Sequence, residues 1–124
     1  MSLCVERLPG QPIILMTFDS ATSSREVVEA HFMALELARP LIGPVHHVVD
    51  LLDVGIGYPV IVNGILNLLK AQALSVPERQ QYTWVVAPHF VDEYPLDGLN
   101  VFSTVDEAIA FIQVQLLSIE SLPV

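Results

Sequence analysis

PVHHVVDLLDVGIGYPVIVNGILNLLKAQA, residues 44–73, is the stretch that decides the fold. Its first part, residues 45–52, is apolar on both alternations apart from two histidines, which predicts a central strand covered on both faces. The chain then turns through Gly55 and Gly57. A proline fits the first helical position, so we predict a helix over residues 59–73 that packs back on the sheet.

The flanking segments predict an alternation of strands and helices. Apolar runs bounded by turn residues indicate strands at 3–8, 13–18, 82–87 and 99–102. With the helices, the order is β-β-α-β-α-β-β-α, and this alternation implies crossover connections and parallel strand pairs. We therefore predict a single α/β domain over residues 1–124, in which about three helices layer a mixed sheet of four to five strands.

Two capping patterns mark the starts of the first and last helices. Ser23-x-x-Glu26 and Thr104-x-x-Glu107 each place a hydroxyl where it can accept from the backbone N–H three residues later. The first helix should end before Pro40. Apolar residues at helical spacing mark one face of each helix: Val28, Phe32 and Leu35 in the first, and Val105, Ala108, Ile109, Ile112 and Leu116 in the last.

The charge balance excludes one class of partner. The net charge is -9, with five Lys and Arg residues against 14 Asp and Glu residues. A protein that grips nucleic acid or an anionic membrane needs basic residues to neutralise phosphates, so neither is expected as a partner. The lone cysteine, Cys4, leaves no intrachain disulfide, and the N-terminus lacks the pattern of a signal peptide, so we predict a cytoplasmic protein.

The predicted helix over 59–73 carries more apolar surface than packing on one sheet requires. Asn63, Asn67 and Lys70 form one narrow polar stripe, and nearly all other positions are apolar. The longest apolar run is too short and too interrupted to span a bilayer. Charged residues make up only 15% of the chain, so we expect this surface to meet a protein partner, most simply a second copy in a homodimer.

The carboxyl ends of the strands are where a sheet of this kind is expected to bind a ligand. The candidate binding residues there are Asp19, Asp50, Asp53, Gly55, Gly57 and Tyr58. Three carboxylates can bind a hard cation such as Mg²⁺, but aspartates beside turns more simply accept from nearby backbone N–H groups. Gly55-x-Gly57 lacks the third glycine of a dinucleotide fingerprint. We therefore predict no metal site, no cofactor and no catalytic residue.

Two adjacent histidines, His46 and His47, lie on the predicted central strand. Neighbouring residues of a strand point to opposite faces, so the two side chains cannot chelate one ion together. Each is predicted to be a partly buried, hydrogen-bonded side chain.

Taken in order, these elements resemble STAS domains. The resemblance rests on the hairpin, the capped helix, the central strand containing Val49-Asp50-Leu51, and the final run Phe-Ser-Thr-Val-Asp-Glu-Ala-Ile-Ala-Phe-Ile at 102–112. That last run is similar to a "T-x-x-E-A-x-x-F" helix in uncharacterised bacterial proteins grouped with the anti-sigma-factor antagonists. The resemblance covers nearly the whole chain and implies a non-enzymatic module that regulates or binds other proteins.

In the best-known members of that family, the loop after the central strand presents a phosphorylatable serine. The corresponding run here, Asp53 to Pro59, contains neither serine nor threonine, so a phosphorylation switch of that kind is not expected. Two other functions stay open at this point. One is a small-molecule or lipid-binding protein that uses an apolar pocket under the helix at 59–73, and the other is an enzyme that uses the acidic strand ends.

Overall fold

A computed structural model describes residues 3–41, 43–54, 63, 64, 67, 80–87 and 100–120. Within these ranges lie five strands and two helices: β1 (Leu3–Arg7), β2 (Ile13–Asp19), α1 (Ser24–Ala38), β3 (Val45–Asp53), β4 (Gln80–Val85), β5 (Asn100–Phe102) and α2 (Val105–Glu120). The predicted strands and both capped helices are confirmed, and the strand ends lie within two residues of those expected.

The third predicted helix is described at only three of its residues. Asn63, Gly64 and Asn67 are helical, and both asparagines are exposed, as the polar stripe predicts. A Cβ atom built on Gly64 would lie 3.3 Å from Val27 Cγ1, so this point of the chain sits against α1. The remainder of 59–73, Lys70 included, lies outside the described residues. The three-helix order therefore stays a prediction, whereas an α/β fold with a mixed sheet is confirmed.

The five strands form one sheet in the order β1-β2-β3-β4-β5. β1 and β2 are antiparallel and are joined by a tight turn, in which Gly10 adopts a φ of 72°. A positive φ is strained for residues with a Cβ atom, so glycine suits this turn. The other three neighbouring pairs are parallel. Parallel neighbours need crossover connections, as the alternating element order predicts.

The capping box at the start of α1 is present. Ser23 is extended, its hydroxyl accepts from the Glu26 backbone N–H at 3.2 Å, and the Glu26 carboxylate accepts from the Ser23 backbone N–H at 3.0 Å. These bonds satisfy two backbone donors near the start of the helix. They fix the point at which the chain leaves the edge of the sheet and enters α1.

The predicted apolar face of α1 is not the face that packs on the sheet. Val28 and Phe32 are exposed, as is the neighbouring Met33. The buried positions are mostly small and recur at spacings of three and four: Val27, Ala30, His31, Ala34 and Ala38. Small side chains let a helix backbone lie close to the strands, and this packing turns the larger apolar residues toward solvent. The sequence prediction for this face was therefore wrong at Val28 and Phe32, whereas Leu35 is half-buried.

Two separate cores cover the two faces of the sheet. On the α1 side, Met16, Phe18, Val49 and Trp84 pack with the small residues of α1. On the α2 side, a smaller cluster of buried residues is formed by Ile13, Val48, Val85, Ala108 and Ile112. The predicted face of α2 is confirmed, because its five residues all belong to or pack against this second cluster.

Candidate functional site

Three of the predicted site residues meet at the carboxyl edge of the sheet. Asp19 at the end of β2 is the register partner of Asp53 at the end of β3, and Asp50 is the register partner of Thr17. Between these two pairs, β2 has one residue, Phe18, and β3 has two, Leu51 and Leu52. β3 therefore contains one extra residue at this point, as in a β-bulge. Gly55, Gly57 and Tyr58, the other predicted site residues, lie outside the described residues.

The Asp19 carboxylate is used to build the turn that leads into α1. Its Oδ1 accepts from the Ala21 backbone N–H at 2.8 Å, and the Asp19 backbone N–H donates to Thr22 Oγ1 at 3.0 Å. Thr22 is buried and returns a backbone bond to the Asp19 carbonyl at 3.1 Å. This is the turn role expected of an aspartate in this position. It occupies an oxygen that a cation would otherwise use.

Asp50 is half-buried, and its carboxylate also accepts a hydrogen bond from a nearby backbone N–H. Its Oδ1 accepts from the Leu52 backbone N–H at 3.1 Å. Burial raises the pKa of the Asp50 carboxyl; the Leu52 N–H opposes that rise, and the nearby Asp53 charge adds to it. Within the described ranges no group of three His, Cys, Asp or Glu side chains is arranged to hold a metal ion.

The raised pKa of Asp50 makes a prediction for stability against pH. A folded-state pKa above the unfolded value of 3.8 favours folding below that pH, and the advantage is lost as pH rises through the folded pKa. Asp50→Asn keeps an acceptor for the Leu52 N–H and removes the charge. We expect the variant to match or exceed the wild type at pH 7, by at most about 1 kcal/mol because the side chain is half-exposed.

The measurement is urea unfolding of both proteins at pH 3 and pH 7. Asp106→Asn is the matched control, since it makes the same change in net charge at an exposed residue in the first turn of α2. At that position a carboxylate interacts favourably with the helix dipole, so Asp106→Asn should lower the free energy of unfolding at pH 7. A lower free energy of unfolding for Asp50→Asn than for the wild type at pH 7 would contradict the inference that burial disfavours the charged Asp50 carboxylate.

The two histidines of β3 lie on opposite faces, as predicted, but both are fully buried rather than partly buried. His46 is buried on the α2 side, and burial lowers the pKa of its imidazole. His47 is buried on the α1 side, where its ring stacks on Tyr82 with centroids 4.7 Å apart. Burial raises the pKa of the Tyr82 hydroxyl to about 12, so it stays protonated at neutral pH. The sheet separates the two imidazoles, and they cannot act on one substrate or ion.

The sequence prediction missed a candidate binding surface on the outer face of α1. Phe32 is 58% exposed, Met33 48% and Val28 39%. Two ion pairs of the same helix flank them, Arg25 Nε–Glu29 Oε1 at 3.2 Å and Arg39 Nη2–Glu36 Oε1 at 2.6 Å. We call these residues the α1 surface. The available signal was the alanine repeat at 30, 34 and 38, which marks the opposite face as the packed one.

Comparisons with known proteins give no identification. No family model matches the chain, and neither the curated proteins nor the solved structures include a significant match. In the part of the chain that the structure describes, neither helix has the length and apolar character needed to cross a membrane. Function therefore has to be argued from the surfaces themselves.

Proposed function

We propose that this protein is a non-enzymatic, STAS-like interaction module that binds a protein partner through the α1 surface. The observation that carries the proposal is the exposure of Phe32 at the centre of that surface, between two charged pairs. Aromatic and arginine side chains are the residue types enriched where protein interfaces concentrate their binding energy. An exposed phenylalanine with a methionine and a valine beside it fits such a centre.

The α1 surface lies mainly outside the packed face of the helix; one contact joins the two, between the ring of Phe32 and the buried ring of His31, whose centroids are 6.0 Å apart in an edge arrangement. The helix is held on the sheet by its small face and by the capping box, and these residues lie on other sides of the helix from Phe32. Substituting an exposed side chain away from such features usually changes stability by no more than about 0.5 kcal/mol. The α1 surface can therefore be changed without unfolding the protein, which makes the proposal testable.

The charges around Phe32 specify the chemistry of the partner. Along the helix the order is Arg25, Glu29, Phe32, Glu36, Arg39, with acids next to the ring and bases at the ends. Both ion pairs are exposed and local, one within α1 and one between Glu36 and the C-cap residue Arg39, so they contribute little to stability and can exchange for partner groups. We propose a partner groove that is apolar in the middle, basic beside it and acidic at both ends.

Binding of this kind is proposed to be independent of phosphorylation in the loop after β3. That loop has no serine or threonine between Asp53 and Pro59. Two of the three described aspartates at this edge of the sheet, Asp19 and Asp50, already accept from backbone N–H groups. The strand ends are therefore proposed to shape turns, while α1 contacts the partner.

The test is Phe32→Glu. Partners captured from the host's extract by the wild type would be identified by mass spectrometry and their affinity measured with purified protein. We expect Phe32→Glu to weaken that affinity by more than about tenfold, because the variant loses the apolar centre and places a charge there. Circular dichroism and urea unfolding should match the wild type.

Gln81→Glu is the control, because it adds the same negative charge at an exposed position on β4, away from α1. It should bind the partner with wild-type affinity. Unchanged affinity in Phe32→Glu, or an equal loss in both variants, would overturn the proposal.

A further inference from the structure

We propose that α2 carries a second interaction surface, on which two copies of this chain meet about a two-fold axis. The surface consists of Ala110, Gln113, Val114 and Leu117, and we call it the α2 surface. These residues are spaced three, four and seven apart, so they lie on one side of the helix. The buried residues Ala108 and Ile112 face the sheet instead.

The α2 surface exposes more of its large apolar side chains than does the α1 surface. Val114 is 63% exposed and Leu117 64%. Both follow Ala110, whose small side chain lets a second helix approach closely. Single exposed apolar residues are ordinary on a protein surface, but Val114 and Leu117 lie about one turn apart on the same face of α2 and so form one apolar patch beside Ala110.

The absence of charge on the α2 surface favours a second copy of the chain as its binding partner. A two-fold axis places each side chain opposite the same surface of the other copy, so a face with a net charge repels itself. The whole chain carries a net charge of -9 and copies of it repel one another. Residues 108–119 contain no charged side chain. The α2 surface is therefore suited to self-association in a protein whose overall charge opposes it.

The α1 surface does not have this property. In an antiparallel pair of α1 helices centred on Phe32, Arg25 of one copy would face Arg39 of the other. Glu29 would lie beside Glu36 of the other copy in the same arrangement. Like charges in contact are destabilising, so the α1 surface is suited to a different protein and the α2 surface to a second copy.

A recess beside Leu117 also favours a second copy of the chain as the binding partner. A recess of ≈ 290 Å³ is lined by Gln11, Gln113, Leu116 and Leu117. One wall is held by a hydrogen bond from Gln113 Nε2 to Gln11 Oε1 at 3.0 Å, which ties α2 to the turn between β1 and β2. In a two-fold pair, the exposed Leu117 of one copy can enter the recess of the other. The recess and the side chain that fills it then occur together on every copy.

Acidic residues limit the contact to the middle of α2. Asp106 and Glu107 lie in the first turn and Glu120 at the end of the helix. Two helices that cross at about 50° touch over their centres and diverge at their ends. The remaining repulsion is long-range and is screened by salt. The pair is therefore expected to bind more tightly as the salt concentration rises.

The experiment is sedimentation velocity over a hundredfold range of micromolar concentrations, at low salt and at about 0.5 M NaCl. The wild type should form a dimer, and its dissociation constant should become smaller as the salt concentration is raised. Leu117→Glu and Val114→Glu should each raise that constant by more than about tenfold. Phe32→Glu should dimerise like the wild type, which separates this proposal from partner binding by the α1 surface.

Cross-linking gives a second measurement that does not depend on those variants. In a Cys4→Ser background, Val114→Cys should form a covalent dimer on mild oxidation, because a residue near the two-fold axis lies close to its own copy. Phe32→Cys in the same background should not. A monomer at every concentration and both salt levels, dimers that survive both glutamate variants, or equal cross-linking at both positions would overturn the proposal.

Discussion

Replacing Trp84 by alanine is expected to destabilise the protein by about 3–5 kcal/mol. Trp84 is fully buried on the α1 side of the sheet, and it is the largest of the fully buried side chains that the structure describes. It lies near the carboxyl end of β4, between register partners Val49 on β3 and Val101 on β5. Truncation would remove most of its apolar surface and leave a cavity between strands and helices that can collapse only partly.

Trp84→Phe separates the two contributions of this side chain. Trp84 Nε1 is buried and has no hydrogen-bond partner among the described residues. Phenylalanine keeps most of the buried apolar area and removes an N–H group that is costly to leave unpaired. We expect it to lose less than half as much stability as alanine does.

Both variants would be compared with the wild type by urea unfolding. The signal should be circular dichroism, because Trp84 is the only tryptophan of the chain. Equal losses for alanine and phenylalanine would contradict the assignment, since they would mean that the indole N–H makes an important bond.

The strands could be predicted because their signals are local. The run Val45 to Leu52 is apolar on both alternations apart from its histidines and Asp50, and the structure buries residues 45–49 and Leu51 between two cores, whereas Leu52 is exposed. The extra residue of β3 between Asp50 and Asp53 could not be predicted in the same way. A strand buried on both faces has no alternating pattern, so the sequence contains no break in period to mark it.

The face of α1 was mispredicted for a physical reason. Pattern rules weigh large apolar side chains most, and they chose Val28, Phe32 and Leu35. Contact between a helix and a sheet also depends on how closely their backbones can approach, and Ala30 and Ala34 allow the closer packing. Val28 and Phe32 therefore marked the surface rather than the core, whereas Leu35 is half-buried.

The candidate site was predicted in its position, and the turn role that the sequence favoured for its aspartates is confirmed at Asp19, whose carboxylate accepts from the Ala21 N–H. Strand order alone implied that Asp19, Asp50 and Asp53 would share one edge, and the register confirms the pairing of Asp19 with Asp53. Their hydrogen bonds, which decide between a cation site and a set of turns, depend on the paths of the loops. Only the structure gives the bonds of Asp19 and Asp50 to backbone N–H groups.

Replacing Ile112 by alanine is expected to destabilise the protein by about 2–5 kcal/mol. Ile112 is fully buried at the centre of the smaller core, where α2 covers Ile13, Val48 and Val85. In the described part of the chain, α2 is the helix that packs on this face of the sheet. A cavity under it therefore removes packing from the smaller core, whose other buried members include residues of three strands.

Val114→Ala is the matched control for Ile112→Ala, because it lies two residues away on the same helix and is 63% exposed. Both substitutions belong in a Leu117→Glu background, which we expect to be monomeric, so that self-association does not contribute to the measured stability. In that background Val114→Ala should change the free energy of unfolding by less than about 0.5 kcal/mol. In the dimerising wild type, it should weaken association instead. A large loss of stability from Val114→Ala in the monomeric background would mean that the α2 surface belongs to the core of one copy, and it would remove the basis for placing a second copy there.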